Sequence, residues 1–250
     1  MGALHEGHLS LVRAAKSACD VVAVSIFVNP TQFGPNEDFA SYPRTFDADC
    51  ALLEAEAIDV VFAPIAEEIY RPGALTFVEV EGMSNRLDGA SRPGHFRGVA
   101  TVVSKLFIAA EPDKAFFGQK DAAQVAVLRR MTADLLLPVE LVVCPIVRES
   151  DGLAMSSRNR YLRAGERKAA LVLSRALNAV AKAAEESESC AEKLIGIAEE
   201  CFASEPGVRV DYAVAVESTT LEPVKQIGPG TLFAVAAFVG NTRLIDNLVF

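Results

Sequence analysis

The segment GALHEGH near the start of the chain sets His5 and His8 three residues apart, with Gly2 and Gly7 beside them. At that spacing both imidazoles share one face of a helix's first turn, where unpaired backbone N–H groups and the positive end of the helix dipole attract phosphate. The glycines would let a flat base or a phosphate approach the backbone closely. The same residues also fit a pair of surface histidines in a flexible tail, and no third ligand at a suitable spacing suggests a zinc site.

Three further segments hold residues of the right type. In VNPTQF, Gln32 offers amide donors and an acceptor for a substrate bearing hydroxyl and carboxylate groups, although Asn-Pro is also an ordinary turn. In FFGQKDAAQ, Gly118 precedes Lys120, which can reach phosphate oxygens, and Gln124 follows one turn on. Asp121 there is equally a simple complement to a helix dipole. In RESDGLAMSSRNRYL, Ser156, Ser157 and Arg158 could clamp an oxyanion. The alternative for that segment is a polar linker, but Arg158, Arg160 and Arg163 cluster in an otherwise acidic chain.

Elements must place these groups, and in an open α/β sheet ligands bind beyond the C-terminal ends of the strands. A helix over HLSLVRAAKSA is expected to lead into a strand, Val21 to Val28, apolar almost throughout as a strand buried on both faces should be. A helix from Asp47 to Ala57 and a strand from Asp59 to Ala63 repeat the beat. Thr76 to Val80 alternates apolar and polar residues and predicts an edge strand. A helix from Val99 to Ala110, a strand from Lys114 to Phe117, a helix from Asp121 to Asp134 and a strand from Val139 to Val147 follow. The pattern predicts a Rossmann-like, doubly wound α/β fold with a mostly parallel sheet. Beyond Arg148, helices over Ala164 to Glu186 and Ala191 to Ala203 precede VRVDYAVAVE and two strands joined through Gly240-Asn241, the pattern of a smaller α+β domain. The expected domains are therefore 1–147 and 148–250.

The 250-residue chain is 51% hydrophobic, enough for a substantial core. Its formal net charge of -9 argues against a nucleic-acid or anionic-membrane partner, which needs a clustered positive field. Five scattered cysteines without a C-x-x-C pair suggest a reduced, cytoplasmic protein. No export signal is evident, and no apolar run approaches the ~20 residues that span a bilayer.

In this order, MGALHEGHLSLV, SIFVNPTQF, YPRT, RPGHFRGV, FFGQKD with Gln124, and LAMSSRNRYL resemble the pantothenate synthetase family over essentially the whole chain. That family comprises the ATP-dependent pantoate:β-alanine ligases of coenzyme A biosynthesis. The histidine segment is similar to the H-x-G-H signature of the wider nucleotidyltransferase superfamily.

The resemblance implies two steps. The carboxylate of pantoate attacks the α-phosphate of ATP, giving pantoyl adenylate and pyrophosphate. The amine of β-alanine then attacks the acyl carbon and releases AMP. It further implies that Met1, Gly2, His5, Gly7 and His8 line the ATP site, with His8 as the catalytic histidine. Gly118, Lys120 and Asp121 would hold the nucleotide, Val147 would lie beside the base, and Met155, Ser156, Ser157 and Arg158 would meet the phosphates. His5, Lys120, Ser156, Ser157 and Arg158 would join His8 in catalysis. Gln32 and Gln124 would hold pantoate. Mg2+ is expected to arrive with ATP, and the implied assembly is a homodimer whose smaller domain acts partly as a lid.

Two departures accompany the resemblance. The family often carries Glu or Lys where Gln119 stands, so this side chain is expected to face solvent or to serve only weakly. It also usually has a strand ending in Pro-Thr directly ahead of Met1, and the chain as written is expected to be less stable than one carrying that strand. Two other functions remain open: a nucleotidyltransferase that stops at a nucleotide-linked product, needing no β-alanine, and a catalytically silent nucleotide-binding protein.

Overall fold

β-Branched residues lose little freedom in an extended chain and pack well on a pleated surface. Short runs of them alternate with helices throughout the first part of the chain. The computed structural model describes residues 1–35 and 37–250. In order the elements are α1 (Glu6–Ala18), β1 (Ala23–Ser25), α2 (Phe46–Ala55), β2 (Val60–Phe62), α3 (Ala66–Ile69), α4 (Asp88–Ser91), α5 (His95–Ala110), β3 (Lys114–Gly118), α6 (Ala122–Asp134) and β4 (Glu140–Cys144). Then follow α7 (Ala164–Ala170), α8 (Val172–Glu185), α9 (Ala191–Ala203), β5 (Val208–Glu217), β6 (Thr231–Val239) and β7 (Thr242–Val249). Two compact units result: Met1–Gly118 with Gln124–Cys144, and Gln119–Ala123 with Pro145–Phe250.

The first unit is α/β. β1 pairs in parallel with β2, from Ala23 opposite Val60 to Ser25 opposite Phe62, and β3 pairs in parallel with β4. Helix α1 packs against β3 and β4. The residues just before it lie against β1: the Met1 nitrogen donates to the Ser25 carbonyl (2.6 Å), and the Phe27 N–H donates to the Met1 carbonyl (3.1 Å). That alternation is a parallel ladder. The segment ahead of α1 is thereby held at the C-terminal end of β1, where an open sheet places its ligands.

Several expected elements differ. The strand anticipated over Val21 to Val28 is shorter: its ladder with β2 spans Ala23–Ser25, because β2 is itself three residues long, and beyond it Phe27 bonds Met1 instead. Only Val24 of these three is buried, and Val21 is 68% exposed, so burial on both faces does not hold. Thr76 to Val80 forms no strand. Side chains satisfy its backbone instead: the Val78 N–H donates to Thr101 Oγ1 (2.9 Å) and the Val80 N–H to Ser84 Oγ (3.2 Å). The strand expected to reach Val147 ends at Cys144, where Pro145 has no N–H to extend the ladder. The helix expected from Ala164 to Glu186 is interrupted at Leu171.

The second unit contains the antiparallel sheet β5-β6-β7 with β6 in the centre. Alternate β6 residues Phe233, Val235, Ala237 and Val239 enter a core with Leu173, Leu177 and Val180 of α8 and Leu194, Ala198 and Phe202 of α9. Their period of two matches the sheet, as the i, i+4, i+8 spacing on α9 matches a helix. Gly240 and Asn241 close the β6–β7 hairpin, Gly240 at φ +56° as a two-residue turn demands. Among the described residues no helix is long and apolar enough to cross a membrane. Leu194 is completely buried in this core, so Leu194→Ala is expected to cost about 2–5 kcal/mol, measured by urea unfolding.

Candidate active site

The histidine segment folds as a helix start. His5 is the N-cap of α1, in extended conformation, and His8 occupies the third helical position. The Gly7 N–H donates to Nδ1 of His5 (3.2 Å), and the His5 N–H donates to Nδ1 of His8 (3.3 Å). This is a capping box built from two imidazoles in place of the usual Ser and Glu. Because each Nδ1 accepts, each ring carries its proton on Nε2 in the neutral form. The rings lie 4.1 Å apart between centroids. Two Nε2–H donors at a helix N-terminus suit a phosphate.

Gln32 ends a 3₁₀ turn, Pro30–Gln32, capped by Asn29. Asn29 is 2% exposed and far more than a turn residue. Its Oδ1 accepts from Thr31 N–H (3.3 Å), Thr31 Oγ1 (2.9 Å) and the Tyr70 hydroxyl (2.8 Å). Its Nδ2 donates to the Gly98 carbonyl (3.1 Å) and to Gln32 Oε1 (3.3 Å). With its oxygen accepting from Asn29, the Gln32 amide has Nε2 as its donor end, the end a carboxylate or hydroxyl oxygen requires. Burial raises the Tyr70 pKa, against the hydrogen bonds from Thr31 and Asn29, so its hydroxyl stays protonated and donates.

The RPGHFRGV segment braces the same turn from α4 and α5. His95 Nδ1–H donates to the Gln32 carbonyl (2.9 Å), and Nε2 accepts from Arg92 (3.1 Å). Arg92 forks onto both oxygens of Glu37 (2.8 and 2.6 Å) and also reaches the Gln32 carbonyl (3.3 Å). Burial, then the Arg92 charge, depress His95 to about 4, so the ring is neutral. Burial also pushes Glu37 up, but Arg92 outweighs it and holds the carboxyl below its ordinary value. Gly98 is required by contact: a Cβ there would lie 2.4 Å from the Thr31 carbonyl oxygen. Gln124 lies in the first turn of α6, and Gly118 ends β3.

The second unit carries the remaining candidates. Lys120 and Asp121 sit in a 3₁₀ turn, Gln119–Asp121, with Lys120 Nζ 3.3 Å from Asp121 Oδ1. Gln119 does not face solvent as expected. Its Nε2 donates to Asn247 Oδ1 (2.9 Å), while Asn247 Nδ2 donates to the carbonyls of Gln119 and Lys120 (3.0 Å each). A buried Asn on β7 can satisfy both carbonyls of the turn, which draws the neighbouring amide inward. Val147 and Met155 face each other across a narrow loop, the Met155 N–H donating to the Val147 carbonyl (2.9 Å). Ser156 caps the 3₁₀ segment Ser157–Tyr161 by accepting from the Arg158 N–H (3.3 Å), and Ser157 is buried.

The base of this loop is ionic. Arg148 forks onto buried Asp246 of β7 (2.6 and 3.0 Å), and Arg167 binds both Glu149 and Asp151. Hydrogen bonds from Arg167 pull the carboxyls of Glu149 and Asp151 below their ordinary values. Asn159 completes the base by donating to Glu149 Oε1 (2.7 Å) and to the Ala154 carbonyl (3.1 Å). Sequence reasoning missed Asn29, Tyr70, Arg92, His95 and Asn247. The signals were available for Asn29, Arg92 and His95, as Asn directly before Pro30 is a helix-start pattern and RPGHFRGV concentrates charge and glycine.

A family model described as pantoate-beta-alanine ligase matches residues 1–249. The pantothenate synthetase of Acidobacterium capsulatum is 64% identical over 249 residues, covering 100% of this chain and 83% of that protein. The crystal structure of pantothenate synthetase from Thermus thermophilus superposes with a TM-score of 0.97 at 47% identity, over 100% of this chain and 90% of the other. The Francisella tularensis pantoate-beta-alanine ligase, a crystal structure complexed with beta-gamma ATP and beta-alanine, matches with a TM-score of 0.80 at 34% identity, over 100% and 87% of the two chains.

His95 gives the brace around Gln32 a pH signature. Its folded pKa of about 4 lies below the ordinary 6.5, so between those values the unfolded chain binds the extra proton and stability falls as pH falls. The urea midpoint is expected to drop across that window. His95→Asn, which keeps a donor toward the Gln32 carbonyl and does not titrate, should flatten the profile by up to about 3 kcal/mol.

Proposed function

The chain belongs to the pantoate-beta-alanine ligase family and joins pantoate to β-alanine in an ATP-dependent reaction, and on that premise we propose which of its groups carry each step. In the first step a pantoate carboxylate oxygen bonds to the α-phosphorus and the bond to pyrophosphate breaks. In the second, the β-alanine nitrogen bonds to the acyl carbon, AMP departs with the bridging oxygen, and the ammonium proton is released.

The observation that carries the assignment is that Nδ1 of each histidine accepts a backbone N–H, which leaves Nε2 as the donor of each neutral ring. His5 and His8 present Nε2–H donors at the N-terminus of α1, and charge on the α-phosphate oxygens grows in the transition state. Donors held by the helix start need little reorganisation, and we assign His8 as the principal one. Met1, Gly2 and Gly7 supply backbone along the nucleotide. Gly118, Lys120 and Asp121 hold it, with Val147 at the base. Met155, Ser156, Ser157 and Arg158 bind the phosphates, where Lys120 and Arg158 supply the positive charge in a chain of net charge -9.

Gln32 and Gln124 bind pantoate, Gln32 through Nε2. The buried Asn29 hub fixes that amide, so the carboxylate is held in line for attack without loss of side-chain freedom at the moment of reaction. Residues 1–147 thus bind ATP and pantoate, and 148–250 contribute the phosphate-contacting serines and arginine.

Among the described residues, no group of three His, Cys, Asp or Glu side chains converges as metal ligands. That fits Mg2+ carried in on the phosphate oxygens and water, as is usual for this ion with nucleotides. Bound there it would neutralise phosphate charge. We further assign the chain to the cytoplasm, where its five unpaired cysteines would stay reduced, and to a homodimer, which sedimentation at micromolar concentration would reveal.

AMP is expected only when ATP, pantoate and β-alanine are all supplied. AMP or pyrophosphate turnover that ignores β-alanine would point to a nucleotidyltransferase. His8→Ala should slow AMP release roughly 10²- to 10⁴-fold. Gln32→Ala should raise the KM for pantoate about tenfold or more while leaving that for ATP nearly unchanged, as loss of one buried hydrogen-bond donor predicts.

A further inference from the structure

We propose that Asp49, on α2, is the positioning residue of the nucleotide loop, holding the backbone from which His5 and His8 are aimed. The inference rests on the assignment of those two histidines to ATP.

Asp49 is 2% exposed, although it is a carboxylate and no cation is bonded to it among the described contacts. Its hydrogen-bond partners are neutral donors, and the nearby Met1 ammonium attracts it by charge alone. The Ala3 N–H donates to Oδ2 (2.9 Å) and the Leu4 N–H to Oδ1 (2.8 Å), a fork from two consecutive amides onto one carboxylate. Thr45 Oγ1 donates to Oδ1 as well (3.0 Å). Asp49 also sits in the first turn of α2, where the helix dipole favours a negative charge.

A left-handed residue beside a differently folded neighbour turns consecutive N–H groups toward one anion, and Ala3 takes that conformation at φ +49°. A residue with a Cβ adopts that conformation only when its surroundings enforce it. Ala3 and Leu4 are 0% and 5% exposed, so no water replaces the carboxylate if it is removed. One turn beyond Asp49 on the same face of α2, Leu53 packs with Leu4, Val12 and Val24. Helix α2 therefore grips the segment twice, by a carboxylate on its backbone and by a leucine on its side chain.

The far end of α1 is tied to the same helix. Arg13 bonds Glu56, the C-cap of α2 (Nε to Oε1, 2.8 Å), and Lys16 donates to the Glu56 carbonyl (2.5 Å). His5 follows Leu4 directly and caps α1, so its direction depends on the fork at Ala3 and Leu4. The YPRT segment acquires its part here, since Thr45 is the third donor to Asp49.

Asp49→Asn tests this with almost no change of shape. Asparagine retains one acceptor but turns an NH₂ toward the second amide donor, so one arm of the fork is lost. With the variant folded by circular dichroism, calorimetry is expected to show at least tenfold weaker ATP binding and pantoate binding within twofold of wild type. The kcat/KM for ATP should fall at least as far as the affinity. Wild-type affinity for ATP, or equal losses for ATP and pantoate, would overturn the proposal, because a residue that merely stabilises the unit has no preference between ligands.

Thr45→Val removes only the third donor and decides the matter should Asp49→Asn fail to fold. The same split, about three- to tenfold, supports the proposal and its absence overturns it. His8→Ala, measured in parallel, separates this idea from its premise. If His8→Ala behaves as wild type, the histidine assignment fails. If His8→Ala is impaired while Asp49→Asn is normal, the positioning role alone fails.

Discussion

Backbone N–H groups that leave water must find an acceptor, and this requirement governs the site from its first residues. Ala3 and Leu4 are buried ahead of α1 and give their N–H groups to Asp49. One residue later His5 and His8 take over, each imidazole accepting a backbone donor at the helix start. A histidine used as a cap cannot also be protonated at that nitrogen. The need to finish a helix thereby sets the proton on Nε2 of both rings, which is the atom a phosphate can use.

The turn that carries Gln32 obeys the same rule with more partners. Asn29 spends both ends of its amide on the turn, on Tyr70 and on α5, and His95 spends both ring nitrogens on Gln32 and Arg92. Every link fixes the next, so Gln32 is oriented by Asn29 and His95 together. Such a network is stable only when fully satisfied, which is why His95 must remain neutral and why Gly98 has no room for a methyl group.

In the second unit the last strand does this work. Asp246 and Asn247 are adjacent on β7, and both are buried. The first anchors Arg148 at the base of the serine loop, and the second closes the turn that carries Lys120. A strand that carries none of the candidate residues thus holds two of the segments that do, because consecutive strand residues point to opposite faces and can serve different neighbours.

Much of this was legible before any coordinates. The order of helices and strands, the parallel pairing early and antiparallel pairing late, and the Gly240-Asn241 hairpin follow from hydrophobic period and turn chemistry, which are local. The ordered motifs were sufficient to identify the family. What the sequence could not announce were properties that need a partner from far along the chain. Thr76 to Val80 has a strand's alternation but meets Thr101 and Ser84 instead of a second strand. The run Val21 to Val28 is apolar enough for a long strand, but its ladder with β2 goes only as far as β2 reaches. Gln119 turns inward because Asn247, 128 positions away, offers it a bond. Asp49 is an ordinary acidic residue in an amphipathic helix until the fold sets Ala3 and Leu4 against it. Residue type determined what chemistry each group could perform, and only tertiary structure decided which donor met which acceptor, because that depends on who is excluded from water together.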